Sequence, residues 1–481
     1  MNRRAFLQVA GLSTGLSLLG GCFGLRREPL VRPNIIFIMT DQQSAHMMSC
    51  AGNRWLKTPA MDYIARNGIR FERAYTTNPV CAPARISMMT GRFPGFFTSS
   101  DQTQPRENRG AMRVNKISAE VERTTIAAIL KKAGYELAYG GKRHLPKILA
   151  PTRLGFTSLT GDDRDVLAEK CAEFIKQPHE RPYFLWANFI NPHDICYYAI
   201  NHYRFGIDPQ ADGKRNMRGG VANKVLLEAM KLPEGVSEEE FFATHCPPLP
   251  PNHEPQDDEP VAVKQLLEQR DFRWNARQNY NEKDWRLHRW AYHRLTERVD
   301  RQIQVVLDAL RESGEEANTV IILTSDHGDM DSAHKMEHKT CLYEESARIP
   351  FLVMQGSGGV KGRVDRTHLV SSGLDLLPTV CDYAGIRDAQ ADPRDRSLRP
   401  LIEGRAVKHW RQTLGVESEI GRMVVGDGIK YIKYDFVMEQ EQLLDLRKDP
   451  GETRHFTNDP KYAGILKKMR KSFNEEWFGG H

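Results

Sequence analysis

The chain has 481 residues, 40% hydrophobic and 27% charged, with 68 Lys plus Arg against 62 Asp plus Glu for a net +6. That supplies a large apolar core, enough length for two or three domains, and a balance unlike that of disordered, collagenous or polytopic membrane chains. The small basic excess suits anionic substrates but falls far short of a nucleic-acid-binding signature, and no nucleic-acid partner is expected.

Arg3 and Arg4 precede an apolar stretch from Ala5 to Leu19, too short and too weakly apolar for a membrane span. This layout predicts an export signal over residues 1–21, and Arg3-Arg4-Ala5-Phe6-Leu7 resembles a twin-arginine leader. Leu19-Gly20-Gly21-Cys22 resembles a lipobox, so Cys22 is expected to be lipidated and to anchor an exported, periplasmic or cell-surface lipoprotein. A plain secretory signal cut near Gly21 is the simpler alternative. The eight cysteines include no C-x-x-C pair and are spread too thinly for a zinc knuckle or a disulfide scaffold.

Residues 34–39 form a short continuous apolar run, the pattern of a strand covered on both faces, and 183–190, 319–323 and 350–354 repeat it. Thr58 and Pro59 open a helix that Gly68 stops, and Thr125 opens another that ends at Gly134. A long amphipathic helix is predicted over 284–313, with Leu287, Trp290, Leu295, Val299, Ile303, Val306 and Leu310 in one stripe. Segment 197–283, rich in Pro, Asn, His and charge, reads as a variable, mostly irregular insertion. After about residue 405 the pattern changes. A hairpin over 422–434 turning at Asp427-Gly428, a strand over 442–446 and an amphipathic helix over 460–477 predict a small subdomain, 406–481. The fold class is therefore α/β, with a large, mostly parallel central sheet flanked by helices over 30–405 and a smaller C-terminal α+β subdomain.

Cys81-Ala82-Pro83-Ala84-Arg85 follows a loop and opens a helix ended by Gly91. A thiol at a helix N-terminus sits where free N–H groups favour anions, and Arg85 one turn on can grip an oxyanion with its planar fork. A structural cysteine in a Pro-stiffened turn is the bland alternative. Asp41 and Asp326 end apolar strands, where α/β folds place ligands. Hard oxygen donors there suit Ca2+ or Mg2+, although each Asp taken alone also suits a turn or cap.

C-x-P-x-R followed by Thr90-Gly91-Arg92 resembles the type I sulfatases of the alkaline-phosphatase-like superfamily. Thr40-Asp41-Gln42, Gly141-Lys142-Arg143-His144, Asn191-Pro192-His193, Thr324-Ser325-Asp326-His327-Gly328, Lys339 with Tyr343-Glu344-Glu345, and Leu444-Asp445-Leu446 with Asp449-Pro450-Gly451-Glu452 follow in the family's order. The resemblance implies an alkaline-phosphatase-like fold and a sulfuric ester hydrolase whose Cys81 is oxidised to formylglycine by a maturing enzyme. It implies a cation, Ca2+ with Mg2+ or Mn2+ as alternatives, held by Asp41, Gln42, residue 81, Asp326 and His327. Gln42 stands where the family often has Asp and His327 where it often has Asn, which removes a charge and adds a nitrogen donor.

By the same resemblance, the residue-81 aldehyde hydrates and one hydroxyl attacks sulfur. Arg85, Lys142 and Lys339 neutralise the transferring group, and His193 or Lys339 protonates the departing alkoxide. His144 takes the proton that lets the second hydroxyl expel sulfate. The expected substrate is a sulfate ester, most plausibly on a glycan. Hydrolysis of phosphonate or phosphate esters is the alternative at the same centre, and an anion- or glycan-binding lipoprotein with unmodified Cys81 is the non-enzyme alternative. His46, Arg106, Asn201, His202, Arg204, Trp274 and Trp285 are candidates for a sugar pocket, each with an equally ordinary packing role.

Overall fold

The computed structural model describes residues 32–97, 104–205, 220–386, 390–435 and 440–479, without the side chains of 204 and 205. The segment expected to be an export signal, and Cys22, lie outside the described residues. Fourteen strands are described among them: β1 Asn34–Asp41, β2 Ile69–Phe71, β3 Ala74–Tyr75, β4 Glu136–Gly141, β5 Thr157–Thr160, β6 Tyr183–Pro192, β7 Thr319–Ser325, β8 Phe351–Gln355, β9 Arg363–Asp365, β10 Val370–Ser371, β11 Leu414–Ser418, β12 Gly421–Gly426, β13 Ile429–Tyr434 and β14 Glu441–Asp445.

Eight strands make one sheet in the order β5-β4-β6-β1-β7-β8-β2-β9. Its first five members run parallel, and β8 is antiparallel to both of its neighbours, so the sheet is mixed but mostly parallel. The continuous apolar runs have a simple cause: alternate residues feed two separate cores. Ile35, Phe37, Met39, Phe184, Trp186, Val320 and Ile322 pack on one face with Ala82, Ile86, Met89, Leu130, Leu376 and Val380. Ile36, Ile38, Leu185, Ala187, Ile321 and Leu323 pack on the other with Met61, Ile64, Cys171, Val299, Ile303 and Leu310. Helices thus cover both faces, as such strands require.

The long helix spans Glu282–Glu312, two residues ahead of its expected start, because Asn281 and Asp284 form a reciprocal capping box. The Pro59–Arg66 helix departs from expectation at its cap. Thr58 makes no side-chain capping bond and instead accepts from the Ser49 N–H at 2.9 Å. The buried carboxyl group of Asp300 accepts from the Ala60 and Met61 N–H groups at 3.1 and 2.9 Å, a cap supplied from 239 residues away. Segment 197–283 is not mostly irregular. It holds the helices Cys196–Phe205, Val221–Met230, Val261–Glu268 and Asp271–Asn279. Leu226 and Met230 bury against Trp285, Ala291 and Leu295, so helical spacing prevails over the segment's polar composition.

Strands β11 to β14 form a four-stranded antiparallel sheet, and Asp427 and Gly428 take positive φ of 49° and 69° in its β12–β13 turn. The Ala463–Phe478 helix lies against it through Leu466, Met469 and Phe473. The other face of that sheet joins the body of the protein through Met423, Ile432 and Leu444, which pack with Met330, Leu342 and Tyr343. Among the described residues no helix is long and apolar enough to cross a membrane, and the seven described cysteines are free thiols.

Candidate active site

Strands β4, β6, β1 and β7 are successive parallel neighbours, so their carboxyl ends share one edge of the sheet. Lys142 follows β4, His193 follows β6, Asp41 ends β1, and Asp326 with His327 follows β7. Two glycines allow the close approach there. A Cβ on Gly141 would meet the Asn188 carbonyl at 2.2 Å, and one on Gly328 would meet the Glu345 carbonyl at 1.9 Å. Facing this edge is the Cys81–Thr90 helix, every residue of which is buried. Asn108 Oδ1 accepts the Ala82 N–H at 3.1 Å beside the thiol.

Cys81 Sγ lies 3.1 Å from His327 Nε2, 3.2 Å from Lys339 Nζ, 3.7 Å from Asp41 Oδ1 and 3.8 Å from Lys142 Nζ. His144 and His193 also come within hydrogen-bonding reach of the sulfur. Arg85, 1% exposed, holds the two carboxylates in place. Its Nε donates to Asp326 Oδ2 at 2.9 Å, and Nη2 donates to Asp41 Oδ2 at 2.8 Å. Its Nη1 reaches the Lys142 carbonyl at 3.1 Å and Asn188 Oδ1 at 3.2 Å. Lys142 Nζ lies 2.6 Å from Asp41 Oδ2.

Charge compensation decides the protonation states. Burial would raise the Cys81 thiol, but Lys142, Lys339 and His327 hold it well below its ordinary value. Burial and Cys81 push the Asp41 carboxyl up, yet Lys142, His193 and Arg85 bring it well below the usual carboxylate range. Asp326 is pushed up to about 6 by burial and by the charge of Asp41. Burial, with Lys142 and Lys339 alongside, lowers His193 to about 3.

The donor set fits a divalent cation. Ligand atoms of Asp41, Cys81, Asp326 and His327 all lie within 4.8 Å of one another and are fully buried. His327 Nδ1 is 2.9 Å from the Gly328 carbonyl, which can only accept, so Nδ1 carries a proton and Nε2 is the ring nitrogen that faces the cluster and would hold a cation after losing its own proton. Gln42 is placed differently from a simple ligand. Its Nε2 donates to Asp329 Oδ2 at 2.6 Å, while its Oε1 accepts from Lys339 Nζ at 2.6 Å and from the Cys196 thiol at 3.0 Å.

The structure therefore brings Cys81, Arg85, Lys142, His144, His193 and Lys339 together around Asp41, Asp326 and His327. Most of the sugar-pocket candidates lie elsewhere. Arg106 donates to the Ser418 carbonyl and pairs with Asp435, tying the β11–β12 turn down. Trp285 is 1% exposed in a hydrophobic cluster, Asn201 bonds Asn223, and His202 packs on Tyr280. Trp274 is exposed, His46 lies beside Asp331, and the Arg204 side chain falls outside the described residues. Two contributors escaped the sequence reading. Asn188 carries a signal, a polar residue inside a fully buried strand. Asp329 carries none, because its partner Gln42 lies 287 residues away.

The family model for Sulfatase matches residues 33–386, and that for the C-terminal region of N-sulphoglucosamine sulphohydrolase matches 332–477. The Delta 4,5-hexuronate-2-O-sulfatase of Bacteroides thetaiotaomicron is 27% identical over 480 residues, covering 95% of this chain and 90% of its own. The N-acetylglucosamine-6-O-sulfatase of the same organism is 23% identical over 527 residues, covering 98% and 89%. The solved structure of a 2-O GAG sulfatase, 26% identical, superposes with a TM-score of 0.73 over 92% of this chain and 91% of its own. A buried thiol ringed by cations at the strand ends, and family matches spanning body and C-terminal sheet, lead to one assignment: the chain belongs to the sulfatase family and is a sulfuric ester hydrolase.

Proposed function

We propose that the chain hydrolyses sulfate esters of a sulfated glycan, using residue 81 in its formylglycine form as the nucleophile. The observation that carries this reading is the Cys81 sulfur held 3.2 Å from Lys339 and 3.1 Å from His327, beside Asp41 and Asp326. Once matured, residue 81 supplies a hydrated aldehyde that can attack the ester and later release sulfate by its own collapse. A divalent cation held by Asp41, Asp326, His327 and residue 81 supplies Lewis-acid stabilisation of developing negative charge. Ca2+ is the proposed ion, with Mg2+ and Mn2+ also compatible with this oxygen-and-imidazole set. We assign Gln42 to holding Lys339, which its Oε1 already engages.

Each remaining group has one task. Arg85 bridges both carboxylates and fixes their spacing. Lys142 and Lys339 flank the nucleophile and face the charge that builds on the transferring group. His144 receives the proton of the residue-81 hydroxyl, and His193 or Lys339 delivers one to the departing alkoxide. The same three cations could serve a dianionic phosphate ester, so rates on matched sulfate and phosphate esters decide between the two substrates.

The glycan assignment draws on the relatives' printed activities on hexuronate and N-acetylglucosamine sulfates. We further propose export and lipidation at Cys22, supported by Arg3-Arg4 and Leu19-Gly20-Gly21-Cys22, and a maturing enzyme as transient partner. The test joins two measurements on protein from its native host. The peptide spanning residue 81 is expected about 18 Da lighter than its cysteine form. A panel of sulfated mono- and oligosaccharides is expected to yield free sulfate. An intact thiol together with no sulfate release overturns the reading.

A further inference from the structure

A cavity of about 310 Å3 opens against the catalytic centre, with Val80 and Lys339 in its inner wall. Val80 precedes Cys81 in the chain, and Lys339 Nζ lies 3.2 Å from the Cys81 sulfur, so the cavity and the centre share the Lys339 wall. The volume sits at the small end of ligand sites, about 300–1,000 Å3. It suits one or two sugar rings better than an extended polymer.

The outer wall is built from elements beyond the main sheet. Arg270 and Arg273 come from the insertion, Glu419 from the β11–β12 turn, and Glu107 from the loop ahead of the Asn108–Met112 helix. Among the described residues none of these four charged side chains makes a contact ion pair. Arg273 Nη1 reaches only the Leu266 carbonyl, at 3.4 Å, and its Nε has no partner. Elsewhere the rule differs: in the groove beside the C-terminal helix, Arg394 pairs with Asp392 and Arg411 with Asp375. Cations and carboxylates lining one cavity without satisfying each other present both donors and acceptors to an occupant. A sugar ring matches that, because hydroxyls donate to carboxylates while hydroxyl, carboxylate or sulfate oxygens accept from guanidinium.

We infer that this cavity seats the ring carrying the ester, with Arg273 and Glu419 as specificity-determining residues that read its substituents. The inference rests on the sulfatase reading above and deepens it. Its test compares a 2-O-sulfated hexuronate disaccharide with 4-nitrophenyl sulfate, which lacks the ring substituents. In Arg273→Met and in Glu419→Gln, the ratio of kcat/KM for the disaccharide to that for the aryl ester is expected to fall about tenfold, mainly through KM; one charge-assisted hydrogen bond accounts for a change of that size. An unchanged ratio, whether both substrates fall together or neither does, overturns it.

Calorimetric binding of the disaccharide to Cys81→Ala, with and without Arg273→Met, reads the cavity independently of turnover. About tenfold weaker binding supports the assignment, and equal affinity overturns it. Loss of all turnover on both substrates in the wild type would instead strike the sulfatase reading itself.

Discussion

Lys430 offers the sharpest test of how the C-terminal sheet supports the centre. Its side chain is fully buried on β13, where Nζ donates to Glu452 Oε1 at 2.7 Å and to the Leu342 carbonyl at 3.0 Å and forms an ion pair with Glu344 Oε1 at 2.8 Å. Burial pushes the Glu452 carboxyl up to about 8 against the pull of Lys430, so near neutrality Lys430 balances mainly the charge of Glu344. Lys430→Met leaves that charge with Arg348 alone, whose Nε is 3.0 Å from Glu344 Oε2. Breaking a buried pair costs about 3–5 kcal/mol, and the surviving Arg348 contact points to the lower end, about 3 kcal/mol. In a unit this large, with the ~2–4 °C per kcal/mol of 150–250-residue domains as a ceiling, scanning calorimetry should show Tm falling by roughly 3–8 °C. Adding Glu344→Gln removes the stranded charge and should recover at least half of the loss. A single variant within about 1 °C of wild type, or a double variant no better than the single, refutes the charge argument.

Cys81→Ala should abolish sulfate release while circular dichroism and Tm stay near wild type, since Lys142 keeps Asp41 Oδ2 at 2.6 Å and Lys339 keeps Gln42 Oε1 at 2.6 Å when the sulfur is gone; residual activity near wild type refutes its role as nucleophile. Asp326→Ala removes one of two carboxylates from the four-residue cluster, and elemental analysis should find the divalent cation lost. Asp300 predicts a pH effect. Burial raises its carboxyl to about 7, so the folded state keeps a proton that the unfolded chain releases near its ordinary value, and its contribution to stability falls as pH rises between about 4 and 7. Thermal melts across that window should therefore decline less steeply in Asp300→Asn, and identical slopes would count against the assignment.

What could be read from sequence divides by the range of the interaction. Strands β1, β6, β7 and β8 were legible because burial on both faces forces unbroken apolar runs. The gathering of Cys81 with Arg85, Lys142 and Lys339 was legible because each lies in a short local motif. Partnerships between distant segments were not. Gln42 looks like a metal ligand until Asp329 and Lys339 are seen to occupy its amide. Arg106 looks like a surface sugar contact until Ser418 and Asp435 close around it. Thr58 looks like a cap until Asp300 arrives from the long helix. The insertion's helices were hidden behind the Pro-rich stretch 247–251, whose composition dominates the local pattern.

The setting of the Cys81–Thr90 helix bears on timing. Its first residue is 1% exposed, and the helix is wrapped on all sides by the body of the protein. A second macromolecule cannot thread a reactive pocket onto that side chain once the chain has closed around it. If residue 81 is matured as proposed, the modifying enzyme would have to reach it before this helix packs, and a copy folded first would keep its thiol.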